Sequence, residues 1–477
     1  MTEETTEEKT KIGLALSGGG FRASFFHIGM LAKLAECDVL RHVEAISCVS
    51  GGSIIGTHYY LELRNLLQTK ADNDITRQNY IDIVKRLEVD FLKAVQKNLL
   101  KLLFSNVVDN LEMLNPKYSR TQRMGELFEE IIYSKVNDDK KRCINDLKVQ
   151  PYDLNNGDSS PSKHNGQHKA KVPIFIINTT CLNTGHNFQF TATEIGEPPA
   201  GINRYVDATY TLKKAPYKQD YRLGYAVAAS ACVPVAFEPI TIDGLYQHDK
   251  KDITVRLVDG GVSDNQGTSA LLERDENGNV LCNVLLVSDA SGQMNVKDKP
   301  GKHIKSALSR SYSIFQARLR IAQFRELEAL KESGTLKGLL FLHLKKGLET
   351  QSIECISTAT VTNHTVETGP LTSYGINKKY QECLSNIRTD LDSFSDTEAR
   401  ALMTSGYLMT ETMLPKEVKE FSNCHPKRED WIFLKDMEQP LGDTKIDPVL
   451  FKKLDEASET LEAKKFLNRA IDLIRGL

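Results

Sequence analysis

The chain has 477 residues, with 61 Lys and Arg against 63 Asp and Glu for a formal net charge of −2. That balance excludes a general attraction to nucleic acid or to an anionic membrane, so any lipid contact must be local, and the length allows one large domain with insertions or two domains. The nine cysteines are scattered, with neither a CxxC pair nor a zinc spacing, which excludes a zinc module and points to a reducing cytosol.

Residues 1–10 are acidic and polar, unlike an ordinary targeting peptide. Ile12 to Leu16 is an apolar run that reads as a buried strand of a parallel sheet and ends in Ser17-Gly18-Gly19-Gly20. A helix follows, with Phe21, Phe25, Ile28, Ala32 and Ala35 on one stripe and His27, Leu31 and Leu34 on the next, so it should be buried around much of its circumference. Val43 to Cys48 is a second strand, and Gly51 to Leu63 is the helix behind Ser50. This strand-turn-helix repeat opens an α/β fold with right-handed crossovers.

From about 64 to 171 the sequence turns charged and helix-forming, an insertion in the core. Residues 79–114 suit one or two helices and 121–135 another, while 155–167 is rich in Asn, Gly, Ser and Pro and reads as a mobile loop. Val172 to Thr180, the turn Asn183-Thr184-Gly185 and Phe188 to Thr193 form a predicted hairpin. Leu223 to Ala231 is a small-residue helix halted before Pro234; the stretch to Phe237 is too short for a bilayer span, and no transmembrane helix is expected. Strands are predicted at Arg256 to Val258, Val284 to Ser288 and Leu339 to Leu344, and helices at 304–332, 397–413 and 448–474. The division this implies is an α/β part over 11–290 and a mostly helical part over 291–477, which either forms its own layer or wraps the first.

Three turns carry the chemistry. A serine hydroxyl is a poor nucleophile, so a hydrolase must expose it, deprotonate it and stabilise the oxyanion. Ser50 sits between a strand and a helix in Cys48-Val49-Ser50-Gly51-Gly52, where a nucleophile elbow demands small neighbours. Gly52 meets that demand, and Cys48 stands where G-x-S-x-G has glycine. Gly18, Gly19 and Gly20 lack Cβ atoms, so their N–H groups can converge on an anion, with Arg22 either bracing that loop or binding a phosphate. No Lys-Ser/Thr completes a P-loop and Ala23 stands where G-x-G-x-x-G needs glycine, so a nucleotide cradle is the weaker reading. Asp259, ending a strand and followed by Gly260-Gly261, is the candidate base; it needs a raised pKa, since the reference value is about 3.9. His303 and His343 lie downstream for an ordinary triad but lack a strand-end, glycine-flanked setting.

The set S-G-G-G-F-R, S-x-G and D-G-G resembles the patatin-like phospholipase family, related to the cytosolic phospholipases A. His27-Ile28-Gly29, the segment from Ala229 to Pro234 and the run from Asp259 to Asn265 are similar to it as well, as is, more weakly, the stretch from Ile387 to Leu391 with Phe394-Ser395. The resemblance implies a three-layer α/β/α fold with a mostly parallel sheet and hydrolysis of glycerolipid acyl esters without metal or cofactor. It also implies Ser50 as nucleophile, Asp259 as base and Gly18 to Gly20 as oxyanion loop. A soluble esterase or thioesterase and a non-catalytic lipid-binding scaffold are the alternatives.

Plainer readings compete at other positions. His27 among apolar neighbours is a packing histidine, Asp264 and Asp289 are turn residues, and Cys48 and Cys232 are packed thiols. The segment from Phe91 to Phe104 sets Lys93, Lys97 and Lys101 against Leu92, Val95, Leu99, Leu102 and Leu103, a pattern shared by core-packed helices and membrane-surface helices. The expected setting is thus a cytoplasmic protein that meets lipid peripherally through the 64–171 insertion, with no nucleic-acid partner and no oligomeric state specified by sequence.

Overall fold

The computed structural model describes residues 9–105, 118–136, 141–154, 160–198, 211–212, 220–234, 236–248, 251–275, 278–292, 294, 299–348 and 369–458. Its first half runs β1 (Ile12–Leu16), α1 (Gly20–Glu36), β2 (Val43–Val49), α2 (Gly51–Thr69), α3 (Arg77–Val95), α4 (Leu99–Ser105) and α5 (Arg120–Ile131). There follow β3 (Ile174–Cys181), β4 (Asn187–Phe190), β5 (Ile195–Gly196), β6 (Thr211–Leu212), α6 (Leu223–Ser230), β7 (Ile240–His248), β8 (Lys251–Asp259) and β9 (Val284–Asp289). The last elements are α7 (Ile304–Glu332), β10 (Gly338–His343), α8 (Lys378–Asn386), α9 (Asp396–Glu417), α10 (Ile432–Gly442) and α11 (Pro448–Glu456). Positions 457–474 of the last predicted helix, 106–114 of the earlier one and 155–159 of the predicted loop lie largely outside the described residues or beyond these ends.

One sheet, in the order β10-β9-β1-β2-β3-β8-β7-β6, organises the molecule, with β4 and β5 attached beside β3. The strands from β10 to β3 are mutually parallel, and β8, β7 and β6 continue antiparallel. The parallel strands read as unbroken apolar runs because both their faces are covered; β1 and β9 are buried at every position. The hairpin β3–β4 forms as expected. Strand β7 goes unread in the sequence because Asp243 and Gly244 interrupt its pattern, and its pairing with β8 shifts register between Ile242 and Tyr246.

Helix α1 is buried along its full length. Its outer side is covered by α9, and the two backbones touch: a Cβ on Gly29 would lie 1.9 Å from the Met403 carbonyl oxygen, and one on Gly406 2.2 Å from that of Phe26. Since β10 extends the sheet and α9 covers α1, the C-terminal part wraps the same core instead of standing apart. Glu36 at the end of α1 is a buried hub, bonded to Lys33, Tyr407, Trp431 and the Glu429 N–H. Cys37 beside it forms a disulfide with Cys424, Cα to Cα 5.8 Å, a pairing across 387 residues that scattered cysteines do not advertise.

The insertion packs on the helices of this core. Phe91 of α3 sits edge-on to Phe21 and Phe25, at 5.8 and 5.4 Å between ring centroids, and Leu92, Val95, Leu99 and Leu103 are all buried. Most of the apolar stripe between residues 91 and 104 is therefore packed inside the protein, with Leu102 left 37% exposed; Lys93, Lys97 and Lys101 are its solvated side. Asn98, with φ 57°, breaks the stretch into two helices. Helix α5 is tied to α6, with Arg222 bonded to Glu126 and Glu129 and the Gly224 N–H donating to Glu129 at 3.0 Å. Residues Pro161–His164 of the expected loop form one helical turn, closed by Asn165 bonding Val172 at both its N–H and C=O.

Candidate active site

Strand register brings the three turns together. In the parallel pair β1–β2, Leu16 lies opposite Cys48, so the glycine turn and the Ser50 turn leave the same edge of the sheet. Across β3, Val49 pairs with Asn178 and Thr179 with Asp259, so β8, running the other way, ends level with Ser50. Gly260 then crosses close above: a Cβ there would be 2.4 Å from the Asn178 carbonyl oxygen and 3.1 Å from Val49 Cγ1.

Ser50 has φ 50° and ψ −117°, a conformation that costs a non-glycine residue roughly 1–3 kcal/mol and persists only when its surroundings impose it. The imposing groups are visible. The Ser50 N–H donates to Ser230 Oγ at 2.9 Å, Ser53 Oγ lies 2.8 Å from the same oxygen, and the Ser230 hydroxyl donates to the Asn178 carbonyl at 2.6 Å. On the other side the Gly52 N–H donates to the Ser17 carbonyl at 3.1 Å. Gly51 and Gly52 admit backbone where a Cβ would strike Gly20 and Leu16 carbonyl oxygens at 2.0 and 2.1 Å. Cys48, the departure from a glycine-flanked elbow, is accommodated by a glycine elsewhere: its Sγ lies only 2.4 Å from where a Cβ on Gly56 would be.

Asp259 is buried. Its Oδ1 accepts the Gly261 N–H at 2.7 Å. Oδ2 is enclosed without a well-formed hydrogen bond, the Ser50 side chain standing near enough to favour the carboxylate. Burial outweighs both effects and pushes its pKa up to about 6. Helix α7 approaches from above: Gln316 Nε2 donates to the Gly261 carbonyl at 3.3 Å and to the Tyr312 hydroxyl at 2.8 Å. Burial, and next the Asp259 charge, raise the Tyr312 pKa to about 12.

The glycine loop is divided in its roles. Gly19 and Gly20 have φ of +134° and +56°, and Gly20 opens α1 as Gly51 opens α2, so two helix N-termini converge on the Ser50 turn. The first turns are stitched by Ser24 Oγ donating to the Gly51 carbonyl at 2.7 Å. The Gly18 N–H is already bonded to the Asn265 carbonyl at 3.0 Å, so Gly18 shapes the loop and its amide is not directed at an anion, a correction to the three-amide reading. A Cβ on Gly18 would lie 2.2 Å from Asn265 Oδ1 and 3.2 Å from Ser50 Cβ.

Arg22 is a brace, and its reading as a phosphate ligand is overturned. Its buried guanidinium donates to the carbonyls of Ala290, Ser385 and Ile387, the last at 2.6 Å. His27 is likewise structural: its ring spans Ser288 Oγ at 2.7 Å and the Ser17 carbonyl at 3.0 Å, and burial lowers its pKa to about 4. The Nε2–H therefore donates to the carbonyl and the Ser288 hydroxyl to Nδ1, an assignment made from the network. Asp264 accepts three backbone N–H groups of its own turn, and Asp289 holds Ser291 and Gln266. Sequence reasoning passes over Ser230, Asn178, Tyr312 and Gln316. Ser230 lies within the noted Ala-Ser-Ala-Cys-Val-Pro segment, whereas nothing near Tyr312 or Gln316 in sequence marks them.

Comparison with protein families matches residues 14–272, over half of the chain, to the patatin-like phospholipase model, and the chain belongs to that family of lipid hydrolases. Among solved structures it is similar to human GIVD cytosolic phospholipase A2, at 13% identity and TM-score 0.33 over 65% of this chain and 45% of that one. VipD from Legionella pneumophila is similar at 15% identity and TM-score 0.32, over 94% and 74%. The chain thus spans less than half the length of the phospholipase A2 chain. No curated protein matches it. Among the described residues no helix is long and apolar enough to cross a membrane.

Proposed function

We propose that the chain hydrolyses carboxylic esters of glycerolipids, as a phospholipase A or lysophospholipase, through a Ser50 acyl-enzyme with Asp259 as base. The observation that carries this reading is a serine held in a costly backbone conformation beside a buried carboxylate whose free oxygen has no other use. Ser50 Oγ attacks the ester carbonyl carbon while Asp259 takes its proton. The carbonyl oxygen becomes an oxyanion, faced by the Gly19 and Gly20 N–H groups and the first turn of α2; each such donor is typically worth about 3–4 kcal/mol of barrier. Collapse breaks the bond to the glycerol oxygen, which leaves with the proton from Asp259. Water, deprotonated by the same carboxylate, then attacks the acyl carbonyl, and collapse breaks its bond to Ser50 Oγ, which takes the proton back from Asp259 as the fatty acid leaves. Neither histidine nor metal enters any of these steps. A scaffold that only bound lipid would gain nothing from the strain at Ser50 or from a desolvated Asp259.

The test is incubation with a mixed lipid extract, read by mass spectrometry, together with a fluorophosphonate probe. The native protein should release fatty acid and be labelled at Ser50. Ser50→Ala and Asp259→Asn should each lose at least about a thousandfold in rate while remaining folded. Activity surviving in Asp259→Asn but lost on replacing His343 would defeat the dyad.

A further inference from the structure

The native charge balance requires any membrane contact to be local, and α7 supplies a local departure from it. Residues 299–325 hold seven Lys or Arg and no Asp or Glu, in a chain of net charge −2. The same helix carries five of the large apolar side chains that stand exposed among the described residues. Ile304, Leu308 and Phe315 are 88, 69 and 71% exposed, and at 100° per residue they fall within roughly a 40° arc. Exposed Lys299 and Lys302 precede this stripe, and exposed Arg318 borders it. The same helix faces the Asp259 turn at Tyr312 and Gln316, the latter donating to the Gly261 carbonyl at 3.3 Å, so the stripe stands on the helix that lies over the site.

We propose that the stripe of Ile304, Leu308 and Phe315, with Lys299, Lys302 and Arg318 around it, is the surface by which the protein docks on an anionic phospholipid membrane. An apolar ridge edged by cations matches the two layers of such a surface: side chains enter the acyl boundary while the cations meet lipid phosphate and carboxylate. A protein partner would need no such uniform charge sign. Docking there sets the ester-bearing interface directly against the helix that covers Asp259, so the inference rests on the hydrolase reading and gives it a direction of substrate entry. The insertion helices around Phe91 offer less for such contact, since most of their apolar face packs into the core.

The experiment compares sedimentation with vesicles of phosphatidylcholine, with and without phosphatidylserine, and hydrolysis of a short water-soluble ester. The native protein should bind the phosphatidylserine vesicles and bind plain phosphatidylcholine about tenfold or more weakly. Leu308→Ser with Phe315→Ser should cost about tenfold or more in binding, and Lys299→Glu with Lys302→Glu a similar factor, with unchanged turnover of the soluble ester. Native-like vesicle binding by both double variants would overturn the proposal. So would equal binding to both vesicle types, loss of soluble-ester turnover alongside binding, or a dimer that the substitutions dissolve in a protein with no vesicle affinity. Ser50→Ala should bind vesicles like the native protein. If the native protein binds through this stripe and yet hydrolyses no ester, the hydrolase reading fails and the docking surface stands.

Discussion

At the scale of single residues, the proposed dyad turns on Asp259. Burial holds its pKa near 6, above the usual carboxylate range, so the carboxyl is protonated below that pH, and in the proposed role of base it would be idle there. We expect kcat/KM on a soluble ester to fall tenfold per pH unit below about 6, and the profile to lose that limb only with loss of activity. The same environment bears on stability. A raised carboxylate pKa means the folded state favours the neutral form, so stability from this group is present below the unfolded value of 3.8 and is lost as pH rises through about 6. Asp259→Asn should therefore melt higher than the native protein at pH 7, by up to about 3 kcal/mol, since each tenfold change in proton affinity corresponds to about 1.4 kcal/mol, while being inactive. Arg22 offers a second residue-level contrast. As a brace it should not tolerate Lys, which lacks the planar fork that reaches three carbonyls; Arg22→Lys should lose roughly 2–3 kcal/mol of stability and at least tenfold in turnover of a short neutral ester. A phosphate ligand would instead raise KM for phospholipid and spare the neutral ester.

Between elements, the contact of β2 with α2 decides whether the elbow can form. The strained Ser50 turn tolerates cysteine two residues before the serine because the facing helix residue is Gly56, whose missing Cβ leaves the room that Cys48 Sγ occupies. Gly56→Ala should cost about 1–3 kcal/mol by overpacking and lower activity through displacement of Ser50. Cys48→Gly alone should be milder, and the double variant should recover most of the loss, a coupling measurable as a double-mutant cycle from denaturant melts. Additive effects would show that the two positions do not share that space. The elbow signal S-x-G is legible locally, but its partner Gly56 is not, since the two meet only once helix and strand have packed.

Across the whole molecule, the C-terminal part is a component of the site's support. Arg22 is held by carbonyls at 385 and 387, a Cβ on Gly20 would strike the Thr389 carbonyl oxygen at 1.9 Å, and α9 lies backbone to backbone against α1 at Gly29 and Gly406. Gly406→Ala, which must push Phe26 away, should lower stability by about 2–4 kcal/mol and reduce turnover together with it. Gly369→Ala, with open space at its Cβ, should stay within about 0.5 kcal/mol. Calorimetric melts and soluble-ester turnover on both variants check the pair. A site independent of the C-terminal helices would keep full activity in Gly406→Ala wherever the protein remains folded.

By itself the sequence determined the α/β opening, the parallel strands and the three glycine-flanked turns, because apolar runs, helical periodicity and the freedom of glycine are local properties of the chain. It could place Ser50, Asp259 and the glycine loop at strand ends for the same reason. The tertiary structure alone decided that Gly18 spends its amide on Asn265, that Arg22 clasps three carbonyls, that Ser230 fixes the Ser50 turn and that α7 lies over Asp259. It alone decided that most of the insertion's apolar stripe faces inward. These outcomes depend on which distant segment fills each hydrogen-bonding or packing vacancy, and no short-range pattern records which segment that will be.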